Sequence, residues 1–213
     1  MVLSELKYAM ERLPGPLPNY NLLHALLLLF LLEEGRLGRK RISQLMELGE
    51  GSVRNLLSKL REMGWVDCRK EGCFLTDLGV KKVKNLRECL IGPVKIELRE
   101  IIKGDAYATL VRCVNYSDVL ELRDEAVRAG GKGAVILRKQ GGTLIFPETG
   151  EMVSKYAPND DRLLENSLRP AEGDLVILGM GESPRSSKLS SLAPSLMAIQ
   201  GPAFSRQIQT GNL

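Results

Sequence analysis

Residues 51–66 read GSVRNLLSKLREMGWV. Val53, Leu56, Leu57 and Leu60 recur at helical spacing within about 100° of arc, so one face of the segment is apolar. The opposite side carries Asn55, Ser58 and Lys59, flanked by Arg54 and Arg61, with Ser52 at the helix start. Leucines at that spacing explain a helix packed on a core, but they do not require those polar neighbours. Taken alone, the helix is better read as a solvated face than as a base-reading one. The flanks decide between them. Just ahead lies RLGRKR (36–41), and just behind, Gly64 stops the helix. Residues 65–69 and 73–75 then read as two short strands around Lys70-Glu71-Gly72, which makes a hairpin.

The charge distribution points the same way. The 213-residue chain has 44% apolar and 26% charged residues, an ordinary globular composition with room for two modest domains. Its net charge is +4, and the whole excess lies before residue 92: 15 basic against 11 acidic residues there, 15 against 15 afterwards. Residues 36–70 alone hold nine basic and four acidic side chains. Positive charge gathered on one motif suits a polyanionic partner better than it suits general solubility.

The apolar segment LLHALLLLFLL (22–32) is 11 residues long, too short to span a bilayer, which takes about 20. The first thirteen residues carry charges where a secretory signal needs an apolar run. The expectation is a cytoplasmic protein without membrane association. A helix apolar on all sides must bury more than one face. A stripe of Leu3, Leu6, Met10 and Leu13 covers part of it, leaving the rest for a second subunit. Cys68, Cys73, Cys89 and Cys113 contain no CxxC pair and the chain has one histidine, so no zinc site is expected and the thiols are read as mostly reduced.

Along the chain, Asn19 after PGPLPN is the expected cap of a helix running to about residue 34. A short helix over 42–48 follows, then a tight Gly49-Glu50-Gly51 turn and the helix over 52–63. Thr76 caps a further helix, with Asp77 in its first turn and Lys81, Lys82, Lys84 and Arg87 towards its end, as the helix dipole favours. Gly92-Pro93 is the expected domain boundary. Beyond it, strands are expected at 94–102 and 106–114, then a helix from Ser117 to Ala129. Further strands follow at 134–138 and 143–146, a helix at 161–168, a strand at 174–178 and a helix from Ser183. The order β-β-α-β-β-α-β-α indicates a compact α+β domain. The expected division is 1–92, 93–200 and a poorly ordered tail, 201–213; the second domain is expected to be the smaller.

Helix, short helix, tight turn, second helix and hairpin make a winged helix-turn-helix. On that reading Asn55 can pair with adenine, Arg54, Lys59 and Arg61 with guanine, and Ser52 and Ser58 with a base or a phosphate. Arg36, Arg39, Lys40 and Arg41 precede the short helix, and Arg69 and Lys70 sit at the wing tip, as phosphate contacts that position the protein. The stretch ISQLMELGEGSVRNLLSKLREMGWVDCRKEGCFLTDLG resembles winged-helix transcriptional regulators of the MarR and DtxR type, over about residues 20–91. This resemblance implies a regulator of double-stranded DNA, acting as a homodimer, with a wing shorter than the regulators' pattern. The pairing with the C-terminal half is similar to a family of archaeal winged-helix proteins with an α+β C-terminal domain, which brings no ligand with it.

Three other features have two readings each. Cys68 and Cys73 flank the wing, either as small side chains in a strand pair, the reading preferred here, or as a redox-sensitive pair. His24 reads as a satisfied core or interface residue. Gly179 and Gly181 end the strand DLVIL, and Ser183, Arg185, Ser186 and Lys188 open the next helix. That pattern serves plain capping, or else offers backbone N–H groups, hydroxyls and cations to a small anionic effector. It lacks the third glycine of a dinucleotide fingerprint. No catalytic set and no cofactor is implied. The function expected is transcription regulation, with the C-terminal domain sensing an effector or supporting assembly. The alternatives are an enzyme with phosphate chemistry at 179–188 and a winged-helix protein-interaction module.

Overall fold

The computed structural model describes residues 2–11 and 19–203. It is α+β: a helical N-terminal unit ending at Arg87, then a sheet unit beginning at Glu88. The sheet unit is thus the larger, not the smaller. The expected turn at 14–18, Leu13 of the apolar stripe and the tail from 204 lie outside the described residues.

The N-terminal unit opens with α1 (Val2–Glu11) and α2 (Leu22–Glu33). Asn21, not Asn19, caps α2. Its side chain accepts from the Leu23 and His24 amides, and His24 Nδ1 accepts from the Asn21 amide at 3.2 Å. His24 is buried in that capping role. Every residue from Leu22 to Leu32 is buried. Leu3, Leu6 and Met10 of α1 do form a buried stripe, and the rest of α2 packs within its own unit, against α3, β2 and α5. The second subunit expected to finish covering α2 is therefore not needed. Each leucine so buried contributes about 1.5–3 kcal/mol.

Next come α3 (Arg39–Met46), α4 (Glu50–Glu62), β1 (Val66–Arg69), β2 (Gly72–Leu75) and α5 (Asp77–Arg87). Both helices start earlier than expected; the chain reverses at Glu47, in the left-handed region at φ 48°, which ends α3, and Gly49 becomes the N-cap of α4. Gly51 lies inside the helix instead of in the turn. Val53, Leu56, Leu57 and Leu60 form its buried face. The hairpin register sets Cys68 opposite Cys73. Thr76 Oγ1 accepts from the Gly79 amide, and Gly79 is forced by packing: a Cβ there would stand 2.0 Å from the Trp65 carbonyl oxygen.

The second unit contains β3 (Leu90–Leu98), β4 (Gly104–Val111), α6 (Val119–Arg128), β5 (Gly133–Gln140), β6 (Thr143–Ile145), α7 (Val153–Tyr156), α8 (Pro158–Leu168), β7 (Leu175–Met180) and α9 (Pro184–Gln200). The expected order holds, with α7 added. Asp118, not Ser117, caps α6. Gly92 and Pro93 are not a linker. They lie within β3, at a bulge between Ile91 and Val94. The sheet is antiparallel throughout, in the order β3-β4-β7-β5-β6. Val176 and Leu178 of the central β7 join a core with Leu164 and Leu168 of α8, while α6 and α9 pack on the sheet and on one another.

The cysteines are not reduced. Cys68 bonds Cys73 and Cys89 bonds Cys113, with Cα separations of 3.9 and 5.0 Å. The first pair is created by the hairpin register. The second forms because Cys89 and Cys113 flank the paired ends of β3 and β4, where the Arg112 amide donates to the Cys89 carbonyl at 3.0 Å. No helix among the described residues is long and apolar enough to cross a membrane.

Candidate functional site

The start of α3, one side of α4 and the hairpin enclose a groove of about 760 Å³ in the N-terminal unit. The groove exists because the segment before α3 is tied to the hairpin. Leu37 and Cys73 exchange backbone hydrogen bonds of 3.0 and 2.8 Å. Gly72 permits this approach, since its φ is +125° and a Cβ would stand 3.0 Å from the Leu37 carbonyl oxygen.

Six cations line the groove: Arg39, Lys40, Arg54, Arg61, Arg69 and Lys70. Glu50 and Glu71 are its carboxylates. Asp67 stands 3.5 Å from Arg61 and 3.7 Å from Arg69, holding one cation of α4 beside one of the hairpin. Arg36 lies 4.3 Å above the Phe74 ring and 4.0 Å from Glu71. Among the described residues no ion pair engages Arg39, Lys40, Arg54 or Lys70.

The basic run does not precede α3, as expected, but forms its first turn. Three cations therefore sit at a helix N-terminus that has no acidic residue in its first turn, no side-chain cap and Gly38 as its N-cap. The helix dipole makes that arrangement unfavourable by about 0.3–1 kcal/mol per charge, and an anion held there would reverse the sign.

Among the expected reading residues, Arg54, Ser58 and Arg61 face the groove together. Ser58 Oγ donates to Glu62 at 3.2 Å. Asn55 is exposed, and Ser52 is half-buried near the start of α4; neither lines the groove, and nor does Arg41. Lys59 is a correction. Its ammonium donates to the Ala9 carbonyl at 2.8 Å, fastening α4 to α1. Burial pushes it below the ordinary lysine value, with Glu62 opposing. The groove residues that sequence reasoning missed are Gly38, Glu50, Leu57, Cys68, Glu71, Gly72 and Cys73, along with the organising Asp67. The adjacency of Asp67 to Arg69 on alternate positions of one strand was the available signal.

The expected anion loop of the second unit is occupied by its own packing. A Cβ on Gly179 would meet the Ser191 amide at 2.4 Å, and one on Gly181 the Ser187 amide at 2.6 Å, so these glycines let α9 lie close on β7. Ser183 and Ser186 form a capping box. Lys188 lies 5.1 Å over the Tyr107 ring. Arg185 Nε is buried beside them. Among the described residues no cluster of three or more metal-ligating side chains occurs.

Residues 21–81, which contain the groove, match the family model "PH0730-like, N-terminal domain". The likeness extends past the groove. Residues 102–198 match a second model, "Domain of unknown function (DUF4443)". Among solved structures, the chain is similar to "Hypothetical protein PH0730 from Pyrococcus horikoshii OT3", at 28% identity and a TM-score of 0.74, over 89% of this chain and 100% of that one. No curated protein matches the chain. The PH0730-like resemblance therefore spans both units, and its names carry no activity.

Proposed function

We propose that the N-terminal unit is a winged helix-turn-helix that binds double-stranded DNA, and that the chain is a transcriptional regulator. The observation that carries this reading is the groove, where an uncapped, cation-bearing helix N-terminus, α4 and the hairpin tip converge. Arg39 and Lys40 would take a backbone phosphate at the start of α3, and Arg69 and Lys70 a phosphate beside the wing. Arg54, Asn55 and Ser58 on α4 would meet base edges in the major groove. The second unit would support assembly or sense an effector. It assigns no catalysis to the 179–188 loop, whose glycines and hydroxyls are engaged in packing and capping.

The test is a gel shift with genomic fragments at rising salt. Binding at low salt that weakens log-linearly with salt supports the reading. Absence of binding at low salt, or binding indifferent to salt, would sink it.

A further inference from the structure

The five-stranded sheet has two unlike edges. β6 is three residues long, and Ile145 is bridged by Met152. β3 is nine residues long and, among the described residues, pairs with β4 alone. Its regular part is bounded on both sides. The bulge at Ile91/Val94 limits it on one side, and on the other Asp160 accepts the amides of Arg99, Glu100 and Ile101. Between these limits, residues 94–98 offer every second backbone N–H and C=O away from β4, which is a template for another strand.

We propose that β3 pairs antiparallel with β3 of a second copy of this chain, centred on Ile96, so that one sheet runs through both copies. The side chains argue for this occupant and this register. Val94, Ile96 and Leu98 share one face. Ile96 and Leu98 belong to the core there, whereas Val94 is 43% exposed. Lys95 and Glu97 share the other face, with side chains 58% and 67% exposed. Residues directly opposite in an antiparallel pair lie on the same face, so the two-fold axis must pass near Lys95, Ile96 or Glu97 to set apolar on apolar. An axis at Lys95 opposes that lysine to its own copy, and an axis at Glu97 does the same to the glutamate. Only the axis at Ile96 sets Lys95 against the partner's Glu97, twice by symmetry. It also sets the exposed Val94 at the position opposite Leu98 of the second copy, on the apolar face. The in-chain pairs Lys95–Asp105 and Arg99–Glu97, at 2.5 and 3.6 Å, are exposed and do not compete for the backbone edge. This pairing does not depend on the nucleic-acid reading.

The experiment is sedimentation equilibrium on the full chain, with thermal unfolding to confirm that each variant is folded. The wild type is expected to be a dimer. K95E and E97K, each placing like charges opposite one another, should each raise the dimer dissociation constant on the order of tenfold or more. Mixing K95E with E97K should restore association as a heterodimer, and the double variant K95E/E97K should dimerise with itself. A monomeric wild type, a dimer indifferent to both single changes, or singles that weaken without rescue in the mixture would each overturn the proposal.

Discussion

Leu37 and Cys73 exchange both of their backbone hydrogen bonds, at 3.0 and 2.8 Å, so Leu37, two residues ahead of α3, forms a β-bridge beside the hairpin. That exchange needs the bare backbone of Gly72. Gly72→Ala puts a Cβ against the Leu37 carbonyl at a left-handed φ, and should cost about 1–3 kcal/mol in urea unfolding. On the proposed function it should also weaken DNA binding, since the two walls of the groove are then no longer held together.

Gly79→Ala tests a different contact. Its Cβ would enter the Trp65 carbonyl oxygen, which is backbone and cannot rotate aside. The expected loss is about 3 kcal/mol or more, read as a lower midpoint of the N-terminal unit in thermal unfolding.

Lys59 and Lys40 should separate stability from binding. Lys59→Ala removes the bond to Ala9 and should lower stability by about 1 kcal/mol while leaving the salt dependence of binding unchanged. Lys40→Ala, at an exposed position on the groove wall, should leave unfolding unchanged and reduce the salt slope of DNA binding by about one. Equal effects of the two substitutions on the slope would contradict the assignment of Lys59 to the fold.

Asp161 gives a pH-dependent case. Burial, with Glu165 adding to it, raises its carboxyl above the ordinary value, and one of its oxygens is buried without a hydrogen-bond partner. A carboxyl with a raised folded-state pKa binds its proton more tightly in the native state. Stability therefore falls as pH rises from the unfolded value through the folded one, and stays lower above it. Asp161→Asn should raise the unfolding midpoint at pH 7 and make little difference at pH 3, where the wild-type carboxyl is already protonated.

These positions also show what the sequence made legible. The leucine spacing of α4, the paired strands around Lys70-Glu71 and the strand-helix order of the second unit all follow from local periodicity, and all appear in the fold. The start of α3 was hidden because Arg39-Lys40-Arg41 violates the dipole preference by which helix starts are recognised. Lys59 looked like part of a polar face because spacing cannot tell that the Ala9 carbonyl of α1 lies within reach of its ammonium. Gly179 and Gly181 followed a strand as phosphate loops do, yet close helix-on-strand packing asks for the same residue. The Cys89–Cys113 pairing and the sheet order depend on contacts far apart in the chain, which no local pattern encodes.

The place of β7 bears on how the molecule is made. It is the middle strand of the sheet and also the last to be synthesised, joining β4 to β5 only after residue 180 is available. Until then β4 and β5 each present an unsatisfied edge, with the apolar core residues of both strands uncovered. Closure of this unit is thus a late, non-local event during synthesis, and the interval before it is when the nascent chain is most exposed to aggregation or chaperone capture.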